Sequence, residues 1–365
     1  MPNSIKYNTS SESLALKKGN FWIGTGDVGK GPTSTTGFYN GITPPSGGYT
    51  IYLNKASGGP SIYTVTSDAQ LITLTNQIAG ASYTTVNQCF NYFAGQSDKM
   101  VVQRDYEGIV TNGLVLNLDA GYLPSYPQNG TSWYDLGPSS NTGTLTNGPT
   151  FSSTNGGSLV FDGIDDYAEV TQRNTNLEFQ PTSGYSCMVF YKSTATSTTN
   201  GALIANMINQ DSYQGWDIWF NGAISNTIAM HLIASWGANA IKVAVDYNYS
   251  TYSNQWLCFG YTYDGSCPTT TQGTLDSVNF YLNGQLYTSG KRLGQPQAGF
   301  GDGFNTSSET ITYNTSQRFR VANRWLAGST AAVPVTIGTV LVYNRKLSSS
   351  EMLQNYNAQK SRFGL

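Results

Sequence analysis

Gly157-Ser158-Leu159-Val160-Phe161-Asp162-Gly163-Ile164-Asp165-Asp166-Tyr167-Ala168-Glu169-Val170 reads as two short apolar strands joined by an acidic, glycine-containing turn. Leu159 and Phe161 fall on one face of the first strand, and Tyr167 and Glu169 on one face of the second. Asp162 to Asp166 supplies the residue types whose side chains favour turns. A hairpin this short cannot bury its own apolar face and needs a second sheet. The second half of the chain offers further short strands at intervals of about 8 to 12 residues, the spacing of sandwiches. The stretch therefore predicts an antiparallel β-sandwich.

Composition agrees with a mainly β chain. Charged residues make up 11% of the 365 positions, against about 25% in an average domain, while Gly supplies 40 and Tyr 25. Such usage favours strands and turns over helices, and the length suffices for two cores. The 19 basic and 21 acidic residues give a net charge of −2, so no basic field attracts a phosphate backbone and nucleic acid is not an expected partner. No apolar run reaches the roughly 18 residues of a membrane span, and the first residues lack an apolar signal segment, so neither a membrane nor a secretory route is expected. Cys89, Cys187, Cys258 and Cys267 are too scattered for a disulfide framework or a zinc motif, and the lone histidine, His231, adds no metal cluster. The cysteines read as buried thiols, although Cys258 and Cys267 could pair across a turn.

In chain order, residues 1–20 read as a polar arm. Residues 21–112 read as a small α+β domain, with strands at Tyr49–Leu53 and Lys99–Arg104. Its first helix runs from an Asp68 cap region to Ile78, with Leu71, Leu74 and Ile78 on one face and Gly80 after its end. A second helix follows a Thr84 or Thr85 cap, with Val86, Phe90 and Phe93 as its buried stripe. Gly24–Gly31 formally fits a dinucleotide fingerprint, but no Ser or Thr follows Lys30 and no helical period follows the glycines, so it reads as a turn. Leu114–Asp119 opens the second domain, residues 113–365, and would pair near Thr339 to Tyr343. In that domain Leu257, Phe259, Tyr261 and Tyr263 share one face, with Trp256 and Cys258 on the other. Val278–Leu282 leads into Asn283-Gly284, the pair favoured where both turn residues need positive φ. Ser348 and Glu351 form a capping box for a last helix with Met352, Leu353 and Tyr356 on its apolar side, expected to pack against a sheet edge or the first domain.

Several of these blocks, in order, resemble a laminin-G-like, concanavalin A-like lectin domain of the kind found in bacteriophage structural proteins. They are Leu114–Gly121, Ser132–Leu136, Gly143–Pro149, Ser158–Val170, Trp256–Gly265, Val278–Leu286, and Ile337–Ser348 through Arg362–Gly364, spanning roughly residues 113–365. The first 110 residues or so are reminiscent of virion proteins of cyanobacterial viruses. The resemblance implies a jelly-roll sandwich displayed on a virion surface and assembled in the host cytoplasm. It implies other head, neck or tail proteins as partners, and host-surface polysaccharide as the target. Monomeric decorations and oligomeric fibres both fit it.

Chemistry is sparse in this sequence. Sandwich glycosidases set acidic catalysts at alternating positions of one strand, and no Glu-x-Asp-x-x-Glu run occurs, so binding without turnover is expected and no catalytic residue is assigned. Trp133, Tyr134, Trp216, Trp219 and Trp236 are the candidate glycan-stacking residues. Asp162, Asp165 and Asp166, with Asp119, are candidate oxygen ligands of a calcium ion; alternatively Asp162 and Asp165 make the turn through their own hydrogen bonds. A phage structural protein with a lectin-like module is the leading reading, ahead of a free carbohydrate-binding lectin and a glycan-degrading enzyme.

Overall fold

Alternating apolar residues place one face of each strand inward, and two antiparallel sheets result. The computed structural model describes residues 5–8, 13–16, 21–23, 49–55, 59–65, 68–94, 99–103, 109–122, 125–137, 141–170, 172–208, 213–222, 226–294, 303–304, 309–324 and 331–365. Gly24–Gly31 lies outside the described residues.

One sheet has eight strands, ordered Thr150–Ser152, Ser158–Asp162, Pro334–Tyr343, Tyr185–Ser193, Trp256–Tyr263, Val278–Leu282 and Gln285–Tyr287, with Leu114–Asp119 also paired to Pro334–Tyr343. The other has nine, ordered Arg292–Leu293, Asn239–Asp246, Thr227–Ser235, Gly215–Asn221, Asn200–Met207, Arg320–Val321, Tyr167–Val170, Thr142–Thr146 and Ser132–Tyr134. Between them lies a continuous apolar core that includes Leu159, Phe161, Tyr185, Trp216, Ile218, Leu232, Val243, Phe259 and Tyr261.

The stretch around the acidic turn is not a hairpin. Ser158–Asp162 pairs with Pro334–Tyr343 in one sheet, and Tyr167–Val170 pairs with Thr142–Thr146 in the other. The turn carries the chain from sheet to sheet, and Gly163 at φ 78° is packed against the Pro334 backbone, where a Cβ would sit 2.5 Å from a nitrogen. Leu159, Phe161, Ala168 and Val170 then meet across the core instead of across a ladder.

Other expectations hold. Leu114 pairs with Tyr343 and Asp119 with Thr339. Asn283 and Gly284 have φ of 49° and 74° between Val278–Leu282 and Gln285–Tyr287. The Ser348–Glu351 capping box is formed, with both reciprocal hydrogen bonds. All four cysteines are buried thiols outside any disulfide, Cys258 and Cys267 among them.

The last helix, Ser349–Phe363, does not sit on a sheet edge. It covers the outer face of the eight-stranded sheet, where Met352 and Phe363 pack with Trp256, Cys258 and Phe190. Leu353 and Tyr356 are only half-buried, because Asn355, Gln359 and Arg362 take part of the inward stripe to meet polar partners. Arg362 ion-pairs with Asp119 at 2.5 Å, and Asn355 accepts from the Val110 amide.

Ahead of the sandwich, Phe21–Ile23, Lys99–Gln103, Tyr49–Lys55 and Gly59–Val65 form a four-stranded sheet. Helices Asp68–Ala79 and Val86–Ala94 carry Leu71, Cys89 and Phe93 into a small core with Ile51 and Val65, which Tyr122 of the sandwich joins. Cys89, absent from the expected stripe, is fully buried there. Within the expected polar arm, Ile5–Asn8 pairs antiparallel with Ser13–Leu16, two segments whose apolar residues alternate with a period of two.

Candidate glycan-binding face

The outer face of the nine-stranded sheet carries a polar line that runs from strand to strand. Register makes Ser132, Thr144, Glu169, Arg320, Ala205, Asp217, His231 and Lys242 successive cross-strand neighbours. Each sits beside residues that face the core, such as Trp216 and Ile218 around Asp217 or Met230 and Leu232 around His231. Period-two alternation therefore turns the whole line away from the core.

Glu169 and Arg320 pair at 2.5 Å. Arg324 takes Asp217 with both Nε, at 2.7 Å, and Nη2, while His231 Nδ1 lies 2.9 Å from the other Asp217 oxygen. Arg320 Nη1 donates to the Arg324 carbonyl at 2.9 Å, which joins the two ion pairs. Asp217, His231, Lys242 and Arg324 are all buried, at 0%, 1%, 2% and 4% exposure. Burial alone would raise the Asp217 carboxyl, but the charges of Arg324 and His231 and their hydrogen bonds outweigh it and hold it below the ordinary carboxylate range. An ionised carboxylate only accepts, so His231 Nδ1 donates to it. Nε2 is buried and has no hydrogen-bond partner among the described residues.

Aromatic rings cover this line. Arg324 Cζ lies 3.7 Å from the Trp219 ring centroid and 5.6 Å from that of Tyr213. Lys242 Nζ lies 4.9 Å from the Trp236 ring and donates to its backbone carbonyl at 3.3 Å. Tyr213 and Trp236 are 5.1 Å apart, and His231 and Trp236 5.5 Å. Cations held against ring faces fix the rings' orientation. Tyr213, Trp219 and Trp236 are half-buried on a small patch of Ala202, Ala205, Met207, Ile233 and Ala240.

The five candidate stacking residues thus divide. Trp219 and Trp236 come together on this face. Trp133 and Trp216 are fully buried in the sandwich core, Trp216 donating from Nε1 to the Leu177 carbonyl at 2.7 Å, and neither can meet a ligand without unfolding. Tyr134 is 46% exposed but lies on the far edge strand, five strands from Trp219 and about 24 Å away at sheet spacing. Tyr213, Asp217, His231, Lys242, Arg320 and Arg324 were not singled out from sequence. For Asp217, His231, Lys242 and Arg320 the signal was a charged or imidazole side chain alternating with core residues, as in Ile241-Lys242-Val243.

The acidic turn brings Asp162, Asp165 and Asp166 together, with ligand oxygens within 4.8 Å of one another. Asp162 Oδ1 accepts from the Ile164 amide at 2.7 Å and Asp166 Oδ2 from the Asp162 amide at 3.0 Å, so these side chains build the turn. Burial, with added repulsion from Asp162 and Asp165, raises the Asp166 carboxyl. Asp119 does not join them. Its partner Thr339 lies five residues along Pro334–Tyr343 from Pro334, the partner of Asp162, about 17 Å away. Arg362 and Thr339 occupy its carboxylate.

No protein-family model matches the chain, and no curated protein matches its sequence. Among solved structures it is similar to the botulinum neurotoxin serotype D binding domain, at 13% identity over 68% of this chain and 53% of that one, with a TM-score of 0.46. The serotype G binding domain gives 15% identity, 67% and 50% coverage and a TM-score of 0.44. A Trypanosoma rangeli sialidase gives 15% identity, 68% and 33% coverage and a TM-score of 0.43. The chain spans about half the length of the two neurotoxin structures.

Proposed function

We propose that this chain displays a lectin-like β-sandwich that binds a surface glycan without turnover, through Trp219, Trp236 and Tyr213. The observation that carries this reading is the ionised line buried beneath those rings. A sandwich face needs no ions. Removing each charge from water costs several kcal/mol, which ion pairing rarely returns as net stability. Such an arrangement fits a site whose groups must be held in place. Rings steadied by Arg324 and Lys242 offer flat faces for sugar C–H groups.

Binding without hydrolysis is favoured by the same geometry. Glu169 and Asp217, the carboxylates of the line, are each held by arginine and stand three strands apart, about 14 Å. Glycosidic cleavage needs two carboxyls within about 5 to 10 Å. The virion setting is supported by the sequence resemblance, with the first 112 residues as the anchoring part and the sandwich as the displayed part.

Full-length protein passed over immobilised host-surface polysaccharide should be retained, with no reducing ends released. Trp219→Ala should elute with the void. Retention that Trp219→Ala leaves intact, or steady release of sugar, would contradict the proposal.

A further inference from the structure

A second recess lies away from those rings, at one end of the sandwich. Three alternate connections converge there, between Ser193 and Asn200, Asn221 and Thr227, and Asp246 and Trp256. The groove has a volume of about 600 Å³, inside the range of about 300 to 1,000 Å³ typical of small-ligand sites. In register, its end row of Asn221, Thr227 and Asp246 is four residues from the ionised line, about 13 Å.

Tyr247 and Tyr249 make the floor. Both are buried, with rings 4.8 Å apart at 70°. Their hydroxyls are engaged inward, Tyr249 donating to the Thr227 carbonyl at 2.9 Å and Tyr247 bonded to Tyr191 at 3.1 Å. At 4% and 5% exposure they offer the groove a small area, with neither hydroxyl turned toward it. Around it stand Asn226, Asn248, Ser253 and Asp246. The Asn226 and Ser253 side chains make no hydrogen bond among the described residues. Asn248 Oδ1 accepts from the Thr251 amide at 3.0 Å and the Ser250 hydroxyl at 2.8 Å, which leaves its NH2 as donor. Asp246, bound at Oδ1 by Arg292 at 2.6 Å, is the one charged side chain among the described lining residues.

We infer that this groove is a binding site for a neutral, hydroxyl-rich saccharide. A pyranose has an apolar face and a rim of hydroxyls that both donate and accept. The tyrosine floor suits the face, while the amides, the serine hydroxyl and the carboxylate suit the rim. A sugar carboxylate or sulfate would meet Asp246 with like charge, which disfavours acidic glycans here. The inference stands on the groove alone and is independent of the outer-face reading.

Saturation-transfer NMR with neutral trisaccharides of glucose, galactose, mannose and N-acetylglucosamine, and with an acidic uronate trisaccharide, tests it on the full chain. Asn226 has φ 50°, so Asn226→Gly removes the amide while keeping the backbone free to hold that conformation. Ser253→Trp fills the groove from its rim. In the Trp219→Ala, Trp236→Ala background, where the outer face is removed, at least one neutral probe should bind, about tenfold more weakly once Asn226→Gly is added and not at all once Ser253→Trp is added. The Trp219→Ala, Trp236→Ala double variant should retain this binding, which separates the inference from the outer-face proposal. No neutral probe binding, preference for the uronate, or binding lost only in the tryptophan variant would overturn it.

Discussion

Replacing Arg362 by methionine removes the cation that fastens the closing helix to the sandwich while keeping most of the apolar stem. In the native structure Arg362 is 3% exposed and Asp119 fully buried. Nη1 lies 2.5 Å from Asp119 Oδ2, Nη2 donates to the Gly157 carbonyl at 2.8 Å, and Thr339 Oγ1 donates to the same carboxylate at 3.1 Å. Without the guanidinium the buried carboxylate keeps the Thr339 hydroxyl and the Gly121 amide but loses its counter-charge, and the Gly157 carbonyl loses the Arg362 donor. Breaking one side of such a pair costs about 3 to 5 kcal/mol. For a unit of this size each kcal/mol lowers Tm by about 2 to 4 °C, so Arg362→Met should melt roughly 6 to 20 °C early. Circular dichroism at neutral pH reads this directly. Adding Asp119→Asn discharges the stranded carboxylate but keeps an acceptor for the Gly121 amide, which Asp119 Oδ1 holds at 2.7 Å. The double variant should therefore recover at least half of the loss. A single variant within about 1 kcal/mol of wild type, or a double variant no better than the single, would refute the argument.

Glu351 is held at about 2, first by its Arg345 hydrogen bonds and then by the Ser348 amide and hydroxyl against a smaller opposing effect of burial. Because its folded value is depressed, its contribution is fully present above about 4.5 and is lost as pH falls toward 2. At 28% exposure solvent screens the pair, so the contribution is about 1 kcal/mol. The Tm gap between wild type and Glu351→Gln should shrink steadily over that acid range, and a constant gap would count against the pairing. At the acidic turn, Asp162 and Asp166 already serve backbone amides, so millimolar calcium should leave the Tm of wild type and of Asp165→Ala unchanged. Calcium-dependent stabilisation lost in Asp165→Ala would identify a true ion site.

The sandwich was legible because its strands advertise themselves locally. Leu257, Phe259, Tyr261 and Tyr263 alternate cleanly, and Asn283-Gly284 meets a conformational demand few other pairs satisfy. The sheet switch at Asp162–Asp166 was not legible, since an acidic turn with Gly163 serves equally for a hairpin or for a corner, and only long-range pairing with Thr336 and Val335 decides. The covered sheet face was hidden for a related reason. Helical spacing identified Met352 but not the polar residues that Arg362 and Asn355 bring inward to meet Asp119 and Val110. The polar line was half visible. Asp217, His231 and Lys242 each break an apolar strand at an outward position, yet their alignment depends on the register of Gly215–Asn221, Thr227–Ser235 and Asn239–Asp246. Trp133 and Trp216 misled because aromatic rings in a sandwich serve the core as readily as a ligand.

The central claim is that Trp219 and Trp236 are the rings that meet a glycan. Indole N–H resonances of the seven tryptophans, followed by two-dimensional 1H–15N NMR while host-surface oligosaccharide is added, test it residue by residue. The Trp219 and Trp236 signals should shift with a shared saturation curve, while those of the buried Trp133, Trp216 and Trp256 stay in place. Host-surface oligosaccharide that binds a Ser253→Trp variant, whose end groove is filled, without moving Trp219 and Trp236 would contradict the account.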